Sequence, residues 1–272
     1  LYTPHIEDNC YGSWGVKELY CMEKRPIQIL DINPKKALQP VREYFDENGN
    51  YNIILDAGAY TTAMLRYEYC APKGTKINLF YSECMLTPVE DGTLSKDMRD
   101  NISGVIESNH YDEIVASGNQ QSYEPFWYRA FRFIRVECSR KPEYFRAAGA
   151  RYTYNFEKDA ISGGIGCFEC SDEKYSRLWE ISRNTIECCT HETFVDCPFY
   201  EQQQYVGDGR FESVYVWRMS NDSRMQKKLI IDTAHSLQTD GQVASTSPNM
   251  WVQILHIASF YFINLIREYL RF

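Results

Sequence analysis

Gly163-Gly164-Ile165-Gly166-Cys167-Phe168-Glu169-Cys170-Ser171-Asp172-Glu173 is the stretch where the chain changes its period. Before it, apolar residues alternate along the chain; after it, they recur every three to four residues, as on one face of a helix. On the N-terminal side Tyr152, Tyr154 and Phe156 share a face of a strand predicted over 151–156. Further strands are predicted at 52–56 and 131–137, and at 65–69 and 77–81, where Leu65, Tyr67 and Tyr69, then Ile77, Leu79 and Tyr81, hold one parity. Between the last two, Ala71-Pro72-Lys73-Gly74-Thr75 reads as a turn, so a hairpin is expected. Several short strands punctuated by Gly and Pro favour an antiparallel β-sandwich. The polar stretch from Thr87 to Gly118 reads as loop, with one short helix around 96–101.

On the C-terminal side, Ser171-Asp172-Glu173 supplies an N-cap and first-turn acids ahead of Tyr175, Leu178, Trp179 and Ile186, which predicts a helix over 172–190. Further helices are predicted over 201–219, 224–237 and 251–269, with Ser220-Asn221-Asp222 and Thr239-Asp240-Gly241 as breaks. Four helices in succession suggest hairpins about a common axis. The expected organisation is therefore an α+β multidomain chain, with a β-sandwich over 1–165 and a helical domain over 166–272.

Composition narrows the partners. The 272 residues carry a net charge of -8, which argues against nucleic acid and anionic membranes, both of which reward clustered Lys and Arg. The longest apolar run, Ile257 to Ile266, contains Ser259 and Asn264 and is too short to span a bilayer, so it is expected to be a buried helix. With 21 Tyr, 14 Phe and 5 Trp the chain is rich in rings that stack on sugars and also fill cores. A neutral or cationic small ligand fits best. The chain opens on Leu1 without a basic-then-apolar leader, so it reads as processed or cropped, and a cytoplasmic and a periplasmic or secreted address both stay open.

Ten cysteines show no repeated spacing, so most are expected to be buried free thiols. Cys167 and Cys170 form one CxxC, but no second pair completes a tetrahedral set, and neither metal nor cofactor is expected. His191 and His235 lack partners at metal spacing and read as structural hydrogen-bonders. Ser245-Thr246-Ser247 lacks a nucleophile elbow, and the 163–166 glycines lack the Lys-Ser/Thr of a phosphate loop.

The chemistry concentrates between Asp196 and Asp208, in Asp196-Cys197-Pro198-Phe199-Tyr200-Glu201-Gln202-Gln203-Gln204-Tyr205-Val206-Gly207-Asp208. Glu201 and Asp208 are seven residues apart, so on a helix beginning near 201 they share a face about 10 Å apart along its axis. Asp196 lies on the preceding loop. A carboxylic acid that can give a proton, beside carboxylates that grip hydroxyls, is what glycoside cleavage uses. The plainer reading has Asp196 capping the helix while the other two are solvated, and spacing alone favours it.

The literal residues shift that balance. Asp196-Cys197-Pro198, Glu201 and Tyr205-Val206-Gly207-Asp208 resemble the signature of the α-L-rhamnosidases of glycoside hydrolase family seventy-eight. The likeness extends to Cys189-Thr190-His191-Glu192-Thr193, to the aromatic strand from Trp127 to Val136, and to Leu55-Asp56-Ala57-Gly58 with the 71–75 turn. Downstream it takes in Asp240-Gly241-Gln242-Val243 and Ser259-Phe260-Tyr261-Phe262-Ile263. The resemblance implies a β-sandwich followed by the first helices of an (α/α)6 barrel, of six-hairpin glycosidase type. It implies inverting cleavage of terminal α-L-rhamnosyl linkages, with Glu201 as general acid and Asp196 and Asp208 binding rhamnose hydroxyls. The substrate would be a rhamnose-containing glycoside or polysaccharide.

An inverting enzyme needs a second carboxylate roughly 6.5 to 9.5 Å from the acid, and in the family that base lies far downstream. The base is therefore expected beyond Phe272, since Glu187, Glu192 and Glu212 have no motif to nominate them. A partial barrel would expose apolar helix faces, so either a fragment or self-association through those faces is expected. The alternative is a non-catalytic carbohydrate-binding or structural piece. The Gln202-Gln203-Gln204 run departs from the family's pattern, and Tyr200, Tyr205 and Trp251 read equally as lining the pocket or as buried core.

Overall fold

The computed structural model describes residues 2–5, 21–24, 37–151, 166–249 and 251–271; of the strand expected over 151–156, all but Arg151 lies outside them. The chain divides into two compact units, Leu30–Tyr152 and a second made of Thr153–Phe272 with Leu1–Ile29. The strands are β1 (Tyr2–His5), β2 (Cys21–Lys24), β3 (Gln39–Phe45), β4 (Tyr51–Cys70), β5 (Lys76–Ser82), β6 (Leu86–Pro88), β7 (Leu94–Lys96), β8 (Tyr111–Val115), β9 (Gln120–Tyr123), β10 (Arg129–Cys138) and β11 (Tyr144–Arg151). The helices are α1 (Glu173–Cys189), α2 (Val206–Ser220), α3 (Arg224–Ala234) and α4 (His256–Tyr269).

The sheet unit is organised by β4, a single strand of 20 residues that takes in both the 52–56 and the 65–69 predictions. Its first half pairs with β3 and β10, and its second half with β11 and β9, all antiparallel. Tyr51, Ile53 and Leu55 from the first half and Leu65, Tyr67 and Tyr69 from the second all turn into one core. Because side chains alternate with period two, residues of one parity stay on one face, so both ladders close over the same interior as a sandwich.

The expected hairpin is corrected. β4 and β5 flank the 71–75 turn, but β5 pairs with β10 and β8 rather than with β4. The turn carries the chain from one ladder to the other, with Gly74 at φ 81° and its N–H on the Ala116 carbonyl at 2.7 Å. Tyr67 of β4 then meets Tyr81 of β5 across the core, hydroxyl to hydroxyl at 3.3 Å, and Tyr81 donates onward to Asp112 at 2.8 Å. Alternation identifies a strand and its inward face; it does not choose the partner. The short helix expected at 96–101 is likewise absent: β7 ends at Lys96, and Asp97 caps a tight turn through Met98 N–H and the Asn101 amide.

Midway along β4 the pairing with β10 slips between Phe131 and Phe133. Arg132 sits at this bulge and reaches Asp56 with two nitrogens, at 2.5 and 3.1 Å. Burial works against the charge on Asp56, but the hydrogen bonds from Arg132 and the Gly58 N–H outweigh it and hold the carboxyl below the usual range.

In the helical unit, Asp172 rather than Ser171 caps α1, accepting from Lys174 N–H at 3.0 Å. α2 begins at Val206, not near 201, because Gln202 adopts φ 54° and residues 196–205 are taken up in a closed loop. α4 begins at His256, because Ser245 N–H bonds the Gln253 carbonyl and keeps that approach non-helical. Phe194, Val206, Val216, Leu229, Val243 and Leu265 form the core of this unit. The apolar run of α4 is not buried as expected. Only Ala258 and Leu265 are buried on that helix, while Ile257, Phe260 and Ile263 form an exposed stripe at helical spacing.

Candidate active site

The site grows from the loop that joins α1 to α2. Phe194 and Val195 are fully buried and anchor its start, and His191, also buried, bonds the Cys188 carbonyl through Nε2 at 2.7 Å. The expected structural role of His191 is what is found. From there the loop closes on itself. Asp196 N–H donates to the Gln203 carbonyl at 3.0 Å, and Gln203 N–H donates to Asp196 Oδ1 at 2.9 Å. Inside this ring Gln202 N–H bonds the Cys197 carbonyl at 3.1 Å and Glu201 N–H bonds Cys197 Sγ at 3.1 Å. These bonds satisfy backbone groups that a helix through 201 would have used differently.

The loop presents Glu201 at its exposed tip, with a side-chain oxygen within 4.8 Å of an Asp196 oxygen. Asp196 and Glu201, five residues apart, are thus brought together, whereas the shared helical face expected for Glu201 and Asp208 is not formed. Tyr205 stands beside the pair, with its hydroxyl 3.4 Å from Glu201 Oε2. Burial and the Glu201 charge push that phenol up.

Asp208 lies in the first turn of α2, where backbone N–H groups favour a negative charge. Even so its carboxyl is pushed up, by burial and by the charge of Asp196. The glycines on either side let the helix pack closely. A Cβ on Gly209 would lie 2.9 Å from Leu229 Cδ2, and one on Gly207 3.0 Å from the Tyr261 ring. One turn further, Glu212 is 9% exposed and is pushed well above the usual range, first by burial and then by Asp208 and Asp196. In the sequence Glu212 has no motif to nominate it as base, and its signal is the i, i+4 spacing from Asp208, which places both carboxyls on one face once α2 starts at Val206.

The three glutamines divide the work of holding the loop. Gln202 bonds the Pro198 carbonyl at 2.9 Å, and Gln203 accepts from the Asn249 amide at 3.1 Å. Gln204, buried, accepts from Phe194 N–H and donates to Asp232 at 3.0 Å and to the Ser247 carbonyl at 2.6 Å. Ser245 to Ser247 are buried too, and the Ser245 carbonyl accepts from Val206 N–H at 2.9 Å, so this segment backs the signature loop. Trp251 is 61% exposed and is not core; its N–H bonds Asn249 Oδ1. Tyr200 is also exposed. Cys84, Cys138, Cys188 and Cys189 are buried thiols outside any disulfide, and Cys167 and Cys170 of the CxxC are exposed.

Comparison with known proteins places these features in a family. Residues 47–150 match the bacterial alpha-L-rhamnosidase concanavalin-like domain, and residues 164–261 match the bacterial alpha-L-rhamnosidase 6 hairpin glycosidase domain. An alpha-L-rhamnosidase of Formosa agariphila is 25% identical over 202 residues, 72% of this chain and 20% of that protein. Among solved structures, a rhamnosidase of family seventy-eight from Bacillus sp. GL1 aligns over 92% of this chain and 24% of its own, with 24% identity and a TM-score of 0.64. A Klebsiella oxytoca rhamnosidase with rhamnose bound aligns over 91% and 51%, with 18% identity and a TM-score of 0.60. At these identities the structural likeness speaks for the fold. The chain spans about a fifth of the length of the curated relative it matches.

Proposed function

The chain belongs to the bacterial α-L-rhamnosidases, whose concanavalin-like and six-hairpin domains it carries in order, and from that premise we propose that it contributes the acid half of a glycosidase site for terminal α-L-rhamnosyl groups. Glu201 is the general acid that protonates the glycosidic oxygen as the bond to the anomeric carbon breaks. Asp196 and Asp208 accept hydrogen bonds from sugar hydroxyls, and charged acceptors hold them more strongly than neutral ones would. The observation that carries this reading is the closed loop from Asp196 to Gln203, which leaves Glu201 exposed at its tip and within 4.8 Å of Asp196.

The same distance argues against Asp196 as the water-activating base, since an inverting pair needs room for a water between carboxylates roughly 6.5 to 9.5 Å apart. Glu212 is too buried to meet that water. Inversion at the anomeric carbon then rests on a carboxylate other than these.

The test is hydrolysis of an aryl α-L-rhamnoside by this chain and by Glu201→Gln. General acids contribute about 10²- to 10⁴-fold, so the variant is expected to lose at least about 100-fold in kcat, with the product released in the inverted configuration. Turnover that survives in Glu201→Gln removes Glu201 from the role. A retained anomer would instead make Asp196 a nucleophile. No turnover by either chain, with L-rhamnose still bound, would leave carbohydrate binding as the function of this chain.

A further inference from the structure

Glu212 is the carboxyl that the proposed reaction does not use. It is 9% exposed on α2, and its Oε2 is buried without a hydrogen-bond partner. The groups that act on it come from three elements: Asp208 one turn earlier on its own helix, Asp196 on the loop, and Cys189 at the end of α1, which hydrogen-bonds to it. Two of these are carboxyls and the third is a thiol that burial pushes up. For a carboxylate buried beside other acids, desolvation and like charge both disfavour ionisation, and a proton on one of them relieves the cost. The deepest group keeps it. A protonated carboxyl then has an O–H that needs an acceptor, and the neighbouring carboxylate is Asp208, four residues back on the same helix face.

We propose that Glu212 is a positioning residue: a neutral carboxylic acid beneath the site whose O–H is aimed at Asp208, keeping that carboxylate charged and oriented toward the sugar. This rests on the reading of Asp208 as a hydroxyl acceptor. It also accounts for an otherwise unsatisfied oxygen in a packed interior, where an unpaired polar atom is costly.

Infrared spectroscopy of the chain, side-chain NMR titration of Asp208 and binding of L-rhamnose test the proposal together, with Glu212→Gln and Glu212→Leu. The carbonyl stretch of a protonated carboxylic acid is expected at neutral pH and is lost in Glu212→Gln. In Glu212→Leu, which has no donor, the Asp208 midpoint rises by about one pH unit and rhamnose affinity falls about tenfold. Glu212→Gln retains an N–H donor, so its Asp208 midpoint moves less and its affinity falls less.

If Glu212 is charged, removing it lowers the Asp208 midpoint in both variants, and that direction overturns the proposal, as does a neutral-pH spectrum without the acid band. A Glu212→Leu chain that does not fold leaves the sign of the shift to Glu212→Gln. Should the unaltered chain not bind rhamnose, the sugar reading fails, while the infrared band and the titration still decide the state of Glu212.

Discussion

The two units surround their carboxylates with opposite neighbours. In the sheet unit Asp56 meets the guanidinium of Arg132, and Asp112 meets that of Arg129 at 2.5 Å, so each acid is matched by an arginine of β10. At the signature loop Asp196, Asp208 and Glu212 crowd one another, and Asp208 and Glu212 are pushed up. The helical unit is not short of ion pairs elsewhere: Arg210 grips Glu268 at 2.5 Å, and Lys228 reaches the fully buried Asp232 at 2.6 Å. Among the described residues, the carboxyls that are pushed up are the two at the site. Charges matched by a partner serve the fold, while charges set against one another and left near the surface are available for chemistry.

The contrast is most directly broken by Arg132→Ala. It leaves Asp56 in the sheet without its partner, and the expected loss is about 3 kcal/mol, since removing one half of a buried pair strands the other. Urea unfolding followed by the tyrosine signal measures it. A loss below about 1 kcal/mol would mean that the pair behaves as a surface salt bridge and that the sheet does not depend on matched charge.

Gly209→Ala asks whether the helical unit relies on close packing where it forgoes ion pairing. The new methyl would lie 2.9 Å from Leu229 Cδ2, and overpacking of this kind costs about 1 to 3 kcal/mol. A thermal midpoint at or above that of the parent would show that Leu229 yields freely and that the close approach is incidental.

The smallest effect is the most specific, because the two units should respond to pH with opposite signs. Asp56 has a lowered folded pKa, so its contribution is present above the ordinary carboxylate range and is lost as pH falls through the folded value. Asp208 and Glu212 have raised folded values, so the folded state binds more protons than the unfolded one, and stability declines as pH rises from the ordinary carboxylate range toward those values. The slope in that window is at most about 1.4 kcal/mol per pH unit for each proton. Glu212→Gln has no proton to lose there, and its stability is expected to vary less with pH above the ordinary carboxylate range. A slope equal to the parent's would place the pH response on Asp208 alone.

Much of this arrangement was legible in the residues. The change of period marks a sheet-rich part followed by helices, the parity of Leu65, Tyr67 and Tyr69 picks out core positions, and the Asp-Cys-Pro signature points to the family. Strand partners were not legible, because alternation is a property of one strand and pairing belongs to two. The helix predicted from 201 failed for a related reason. Gln202, Gln203 and Gln204 are good helix formers by propensity, yet their backbone and side chains bond Cys197, Asp196 and Asp232, contacts as distant as 28 residues in sequence. Glu212 was visible as an acid, but its burial was not.

What the sequence by itself determined is the set of local facts: which segments can be strand or helix, which faces are apolar, and which acids lie within reach of a loop. These follow from the stereochemistry and hydropathy of near neighbours, which are written in order along the chain. The tertiary structure decided which strand lies beside which, that the signature folds back on itself before α2 begins, and that of four neighbouring acids Glu201 faces solvent while Glu212 lies beneath. Burial and mutual repulsion depend on atoms brought together from distant positions, and only the packed chain sets those distances.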